Sequence, residues 1–134
     1  GRRTYELMKN GGDFKRMKAV NIVVVTSRKD LVNTENIFFV SNFNEAIEKL
    51  RQKGFSKILV CGGAILNASA LDSSLVDEIY LDVEPLIFGK GIPLFSPENF
   101  EYKLKLLEVK KLSEMTTQLH YKVIGSRAKQ SYPD

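Results

Sequence analysis

A single cysteine, Cys61, and a single histidine, His120, are all that 134 residues hold of the two side chains on which disulfide and zinc chemistry depend. One chain can therefore build neither a disulfide framework nor a Cys/His metal site, and a reducing, cytoplasmic setting is the default. Long apolar runs are also lacking: stretches such as Ile22 to Val25 are strand-sized, far short of a membrane span, and no charged-then-apolar leader opens the chain. A soluble protein with no membrane partner is expected. Charge of one sign is scarce as well. Twenty Lys and Arg against sixteen Asp and Glu leave a net charge of +4, spread along the chain with no basic run interleaved with aromatics. This excess suits an anionic ligand and gives no reason to expect nucleic acid. What is present is 43% hydrophobic content, enough for one ordinary core and too little for two comfortable ones.

Along the chain, Arg3 to Lys9 reads as a short helix stopped by Asn10-Gly11-Gly12-Asp13. Asn21 to Thr26 is a continuous β-branched run, the pattern of a strand covered on both faces, and Ile37 to Val40 is a further short strand. A second helix follows with Asn42 as cap, Glu45 at the capping-box position, Phe43, Ala46, Ile47 and Leu50 on one face, and Gly54 at its end. Lys57 to Cys61 reads as a buried strand, Gly62-Gly63 as a tight turn and Ala64 to Leu71 as a helix, with Cys61 a small buried residue at the strand end. This alternation predicts a mixed, mainly parallel central sheet flanked by helices, with Ile22–Val25 and Ile58–Cys61 as its central strands. After Asp77 the period becomes that of strands, through Ile79 to Ile87, Tyr102 to Leu112 and Thr116 to Ile124. The domain is expected to span 1–125, and residues 126–134 read as a polar tail.

Three segments could carry chemistry. At Gly62-Gly63-Ala64-Ile65 a strand turns into a helix through two glycines, where backbone N–H groups and the helix dipole suit a phosphate, although such a turn is often only a turn. At Gly1-Arg2-Arg3-Thr4 two guanidinium forks and a hydroxyl open a helix and match phosphate oxygens, or else form a charged first turn capped by Thr4. At Thr26-Ser27-Arg28-Lys29 hydroxyls and cations follow the carboxyl end of a buried strand, the edge where open parallel sheets bind ligands. Farther on, Asp82 and Glu84 share a strand face with Tyr80, either as an exposed acidic face or as a ligand surface. His120 alternates onto the polar face of the last strand and receives no catalytic role.

In this order Gly1-Arg2-Arg3-Thr4-Tyr5-Glu6, Val23-Val24-Val25-Thr26-Ser27-Arg28 and Cys61-Gly62-Gly63-Ala64 resemble the cofactor-binding segments of the dihydrofolate reductase superfamily. The stretch from Leu75 to Phe95, with its Val-Asp-Glu opening, Pro85, Gly89-Lys90-Gly91 and terminal Phe95, is similar to the reductase domain of bifunctional riboflavin-biosynthesis deaminase-reductases. The resemblance runs over residues 1 to 124 and implies NADPH as cofactor. By it Arg2 and Arg28, with Ser27, hold the 2′-phosphate, Thr4 and the Gly62-Gly63-Ala64 helix start hold the pyrophosphate, and Gly1, Thr26 and Ile65 are further cofactor-binding residues. Asp82 and Glu84 would then contact a small-molecule substrate. The implied reaction is hydride transfer to a pterin- or pyrimidine-type substrate, foremost 5-amino-6-(5-phosphoribosylamino)uracil. Dihydrofolate reduction and nucleotide binding without catalysis stay open, and no catalytic residue is assigned. Family members begin with a strand and loop upstream of the position of Gly1, so an incomplete fold and weak turnover are expected, and a homodimer is the expected assembly.

Overall fold

The computed structural model describes residues 1–17, 20–97 and 100–126, arranged in two compact units. The first comprises Gly1–Ala70 and Leu94–Ser96, the second Leu71–Pro93 and the described residues from Pro97 onward.

In the first unit helix α1 (Arg2–Gly11) ends at Gly12, whose left-handed φ of 77° returns its N–H to the last carbonyls, as the glycine run predicts. A 3₁₀ turn (Asp13–Lys15) follows, then strands β1 (Ile22–Val25) and β2 (Ile37–Val40), paired parallel with Ile22 opposite Ile37 and Val25 opposite Val40. The two faces of this pair are covered by different helices. Phe39 of β2 meets the Tyr5 ring of α1 edge-on at 5.4 Å, whereas the neighbouring Phe38 lies beneath Lys49 of helix α2 (Phe43–Gln52) at 5.0 Å and beneath its C-cap Lys53 at 4.6 Å. Val24 is accordingly 2% exposed, but Ile22, Val23 and Val25 are only half-buried and β1 pairs with β2 alone, so it is an edge of a two-stranded sheet and not the central strand expected. Asn42 caps α2 by accepting from Glu45 N at 2.9 Å, and Glu45 reaches back in a variant of the capping box, its Oε2 accepting from Ser41 N and its Oε1 from Asn42 Nδ2, both at 2.9 Å. Phe43, Ala46 and Ile47 are buried, so the predicted apolar stripe of α2 is the one the core uses.

Lys57–Cys61 departs from expectation. It carries no strand, Leu59 is 80% exposed and Cys61 is exposed rather than buried. A cavity of about 420 Å³ has walls from both β1 and residues 57–61, so the two segments stand apart where ladder partners must lie about 4.8 Å from each other. An apolar run becomes a strand only against a partner edge. The sheet is thus a parallel pair here and an antiparallel trio in the second unit, not one mainly parallel sheet.

Helix α3 (Ala64–Asp72) begins in the first unit, where Asn67 Nδ2 donates to Leu94 O at 2.9 Å and Ser96 N to Ala64 O at 3.0 Å. The second unit is built on strands β3 (Glu78–Val83), β4 (Tyr102–Lys111) and β5 (Thr117–Ser126) in the order β3-β5-β4, all neighbours antiparallel. Bulges between Lys103 and Leu104 and between Leu106 and Glu108 break the simple alternation read from sequence. β5 runs through Ser126, so the chain is still a strand where a tail was expected to start; residues 127–134 of that tail lie outside the described residues.

Candidate phosphate-binding site

Two helix starts lie side by side in the first unit. Gly1 caps α1, its carbonyl accepting from Tyr5 N at 3.0 Å, and Gly63 opens α3, its carbonyl accepting from Asn67 N at 2.9 Å. Gly1 N donates to Gly62 O at 2.7 Å, and a Cβ placed on Gly63 would stand 4.0 Å from Thr4 Oγ1. Thr4 therefore sits within α1 and is not its cap. Gly62 holds φ +81°, a conformation in which a side chain would be strained, so this turn favours glycine. The first N–H groups of a helix have no partner within it. Neither α1 nor α3 has an acidic residue in its first turn, and α1 has no side-chain cap. Two unneutralised positive dipole ends thus converge, which is how backbone binds an anion. Gly1, Thr4 and Gly62 also line the 420 Å³ cavity, whose other walls include Tyr5, Val24 and Ile47; ligand pockets span roughly 300–1,000 Å³.

At the end of β1, Thr26 N donates to Val40 O at 2.8 Å and Thr26 Oγ1 accepts from Arg28 N at 3.2 Å, turning the chain so that Ser27 and Arg28 are exposed. Both guanidinium groups expected to meet phosphate are already engaged. Arg2 Nη1 donates to Glu6 at 2.7 and 2.9 Å. Arg28 Nε donates to Asp30 Oδ1 at 2.9 Å and Arg28 Nη2 to Asp30 Oδ2. The fork raises the Arg28 pKa above its usual value, chiefly through the Asp30 hydrogen bond, with a smaller contribution from Glu6, and holds the Asp30 carboxyl below the usual carboxylate range. Neither Glu6 nor Asp30 carries a role in the sequence reading. The Arg2–Glu6 spacing of four on a helix was a readable signal; the Arg28–Asp30 contact across a bend was not.

The substrate candidates lie on the polar face of the second unit's sheet. Asp82 Oδ1 accepts from Gln118 Nε2 at 2.8 Å, its partner in the β3–β5 register. Glu84, just past the end of β3, accepts from Thr116 Oγ1 at 2.8 Å. His120 does more than alternate outward: its ring stacks on Tyr80 at 4.0 Å and its Nε2 lies 2.8 Å from Glu78 Oε2, which also accepts from the Tyr80 hydroxyl at 3.0 Å. These bonds hold the Glu78 carboxyl below its ordinary range, the His120 contact contributing most, and push the Tyr80 hydroxyl up. Among the described residues no cluster of His, Cys, Asp and Glu could hold a metal ion, and no helix is long and apolar enough to cross a membrane.

Two helix starts converging at a glycine turn, in an α/β domain, leave backbone N–H groups that suit an anion. Residues 5–118 match the family of the RibD C-terminal domain, and the chain belongs to that family, within the dihydrofolate reductase-like superfamily its sequence resembles. It is 32% identical over 122 residues to the uncharacterized protein YwjB of Bacillus subtilis (strain 168), covering 90% of this chain and 70% of the relative. It is 29% identical over 98 residues to the uncharacterized protein YyaP of the same strain, covering 73% of this chain and 52% of the relative. A solved structure from Shewanella sp. PV-4, of a protein assigned to riboflavin biosynthesis, superimposes with a TM-score of 0.66 at 21% identity over 78% of this chain. The chain spans 61% of that protein's length, and the likeness shows the fold.

Proposed function

We propose that this chain is an NADPH-dependent reductase domain acting on the ribosyl group of an aminopyrimidine phosphate in riboflavin biosynthesis, in the cytoplasm. The observation that carries this reading is the convergence of two helix starts with unneutralised N–H groups, in a chain of the RibD C-terminal domain family. The residues fit the cofactor. The N–H groups of the α1 and α3 starts, with Thr4 Oγ1, would hold the pyrophosphate, and Ile65 is exposed beside it. Ser27, Arg28 and Arg2 would hold the 2′-phosphate, and the apolar cavity would exclude water from what it encloses. NADPH, when bound, supplies the hydride. Asp82, fixed in orientation by Gln118, would accept from a pyrimidine amine or a ribose hydroxyl, and Glu84, held by Thr116, would stand at the end of that row.

Calorimetric titration with NADPH and NADH tests the reading. Arg28→Ala should cost NADPH about 1.5–3 kcal/mol, the worth of a hydrogen bond to a charged group, and leave NADH nearly unchanged. Equal weakening of both, or no binding of either by the parent chain, would remove the cofactor assignment.

A further inference from the structure

We propose that Asp30 sets the cofactor preference of this strand end: its carboxylate holds the Arg28 fork and competes with a 2′-phosphate for it. The inference rests on the function proposed above and adds a specificity-determining residue to it. A guanidinium offers two edges for bidentate contact, Nε with Nη2 and Nη1 with Nη2. Asp30 occupies the first of these with both of its oxygens. A phosphate arriving at Arg28 must either displace that carboxylate or bind at the second edge with the carboxylate's negative charge close by. A ribose 2′-hydroxyl suffers no such repulsion and can donate to Asp30, as acidic residues do at NAD sites.

Stability does not explain the pair. Asp30 is 62% exposed and Arg28 48%, and exposed ion pairs contribute little or nothing measurable to folding. The other guanidinium expected at the phosphate, that of Arg2, is likewise engaged by a carboxylate, that of Glu6 at 2.7 Å. Two cations that look in sequence like a strong 2′-phosphate site are therefore matched by two carboxylates. The parent chain should prefer NADPH only modestly.

The test measures dissociation constants of NADPH, NADH, adenosine 2′-monophosphate and adenosine 5′-monophosphate for the parent, Asp30→Asn and Arg28→Ala. Unit charges about 4 Å apart in water interact by about 1 kcal/mol, so removing the Asp30 charge should raise the NADPH-to-NADH preference about fivefold. The preference for the 2′- over the 5′-monophosphate should rise in step. If Asp30→Asn leaves both ratios within twofold of the parent while Arg28→Ala still weakens NADPH alone, Asp30 is not the determinant and the inference is overturned. If Arg28→Ala does not discriminate between the cofactors, the underlying site assignment falls, and the inference with it.

Discussion

An acidic residue in the first turn of α3 should make the protein more stable and its cofactor binding weaker, an opposition of signs that few other causes produce. Ile65 is the second residue of that helix and 75% exposed, so Ile65→Asp gives up little buried area. Isoleucine and aspartate differ little in helix propensity. Because the α3 first turn lacks any carboxylate, the new charge meets an uncompensated dipole end and should contribute about 0.3–1 kcal/mol. The melting temperature should rise by a few degrees, as about 1 kcal/mol shifts a domain of this size by roughly 4 °C. Against a bound pyrophosphate the same charge is repulsive. At about 1 kcal/mol per pair of unit charges in water, two phosphate charges give a loss of about 2 kcal/mol, roughly thirtyfold in the NADPH dissociation constant. Ile65→Asn is the matched neutral control. The assays are calorimetric titration at several ionic strengths and thermal unfolding by circular dichroism. The loss should shrink as salt shortens the screening length from about 30 Å at 0.01 M to about 3 Å at 1 M. If Ile65→Asp binds NADPH no worse than Ile65→Asn at low salt, the start of α3 does not face phosphate and the site reading is wrong.

Asn42→Ala should destabilise the first unit by about 1 kcal/mol in urea unfolding, with Asn42→Gly costing only a few tenths, because glycine keeps the backbone geometry of a helix cap; equal costs would contradict the capping box. Glu78, whose folded pKa is depressed by His120 and Tyr80, contributes stability that is present above the ordinary glutamate range and is lost as pH falls through the folded value. The advantage of the parent over Glu78→Gln in acid titration should therefore shrink as pH drops below about 4.3, and an advantage independent of pH would show that the carboxylate's charge is irrelevant. The apolar side of the β3-β5-β4 sheet leaves Leu106 50% and Val109 59% exposed, which supports a homodimer formed through this face; light scattering should give twice the chain mass at micromolar concentration, Val109→Lys should halve it, and a monomeric parent would remove the proposal.

The helices were legible in the sequence because their signals are local. Asn42, Glu45 and the Phe43, Ala46, Ile47 stripe lie within a few residues of one another, and each acts through bonds or faces that the helix itself supplies. The strands of the second unit were legible for the same reason, since alternation from Ile79 to Val83 and from Leu119 to Val123 marks one apolar face whatever the partner. Gly62 was legible as a turn, and its left-handed φ shows why. By itself, then, the sequence determined which segments are helical and nearly where they stop, and it marked three segments as candidates for an anion. Tertiary structure alone decided the rest, because the deciding groups lie on other segments. Whether Lys57–Cys61 becomes a strand depends on an edge standing beside it, and a cavity stands there instead. Whether Gly1, Thr4 and Gly62 share a site depends on two helix starts meeting across a sequence separation of 61 residues. His120 bonds Glu78 only because the β3–β5 register sets Tyr80 opposite it and Glu78 on the same face. Arg28 carried a plain charge in the sequence, but its available edge was set by where Asp30 folds back, since a hydrogen bond depends on geometry that residue type does not specify.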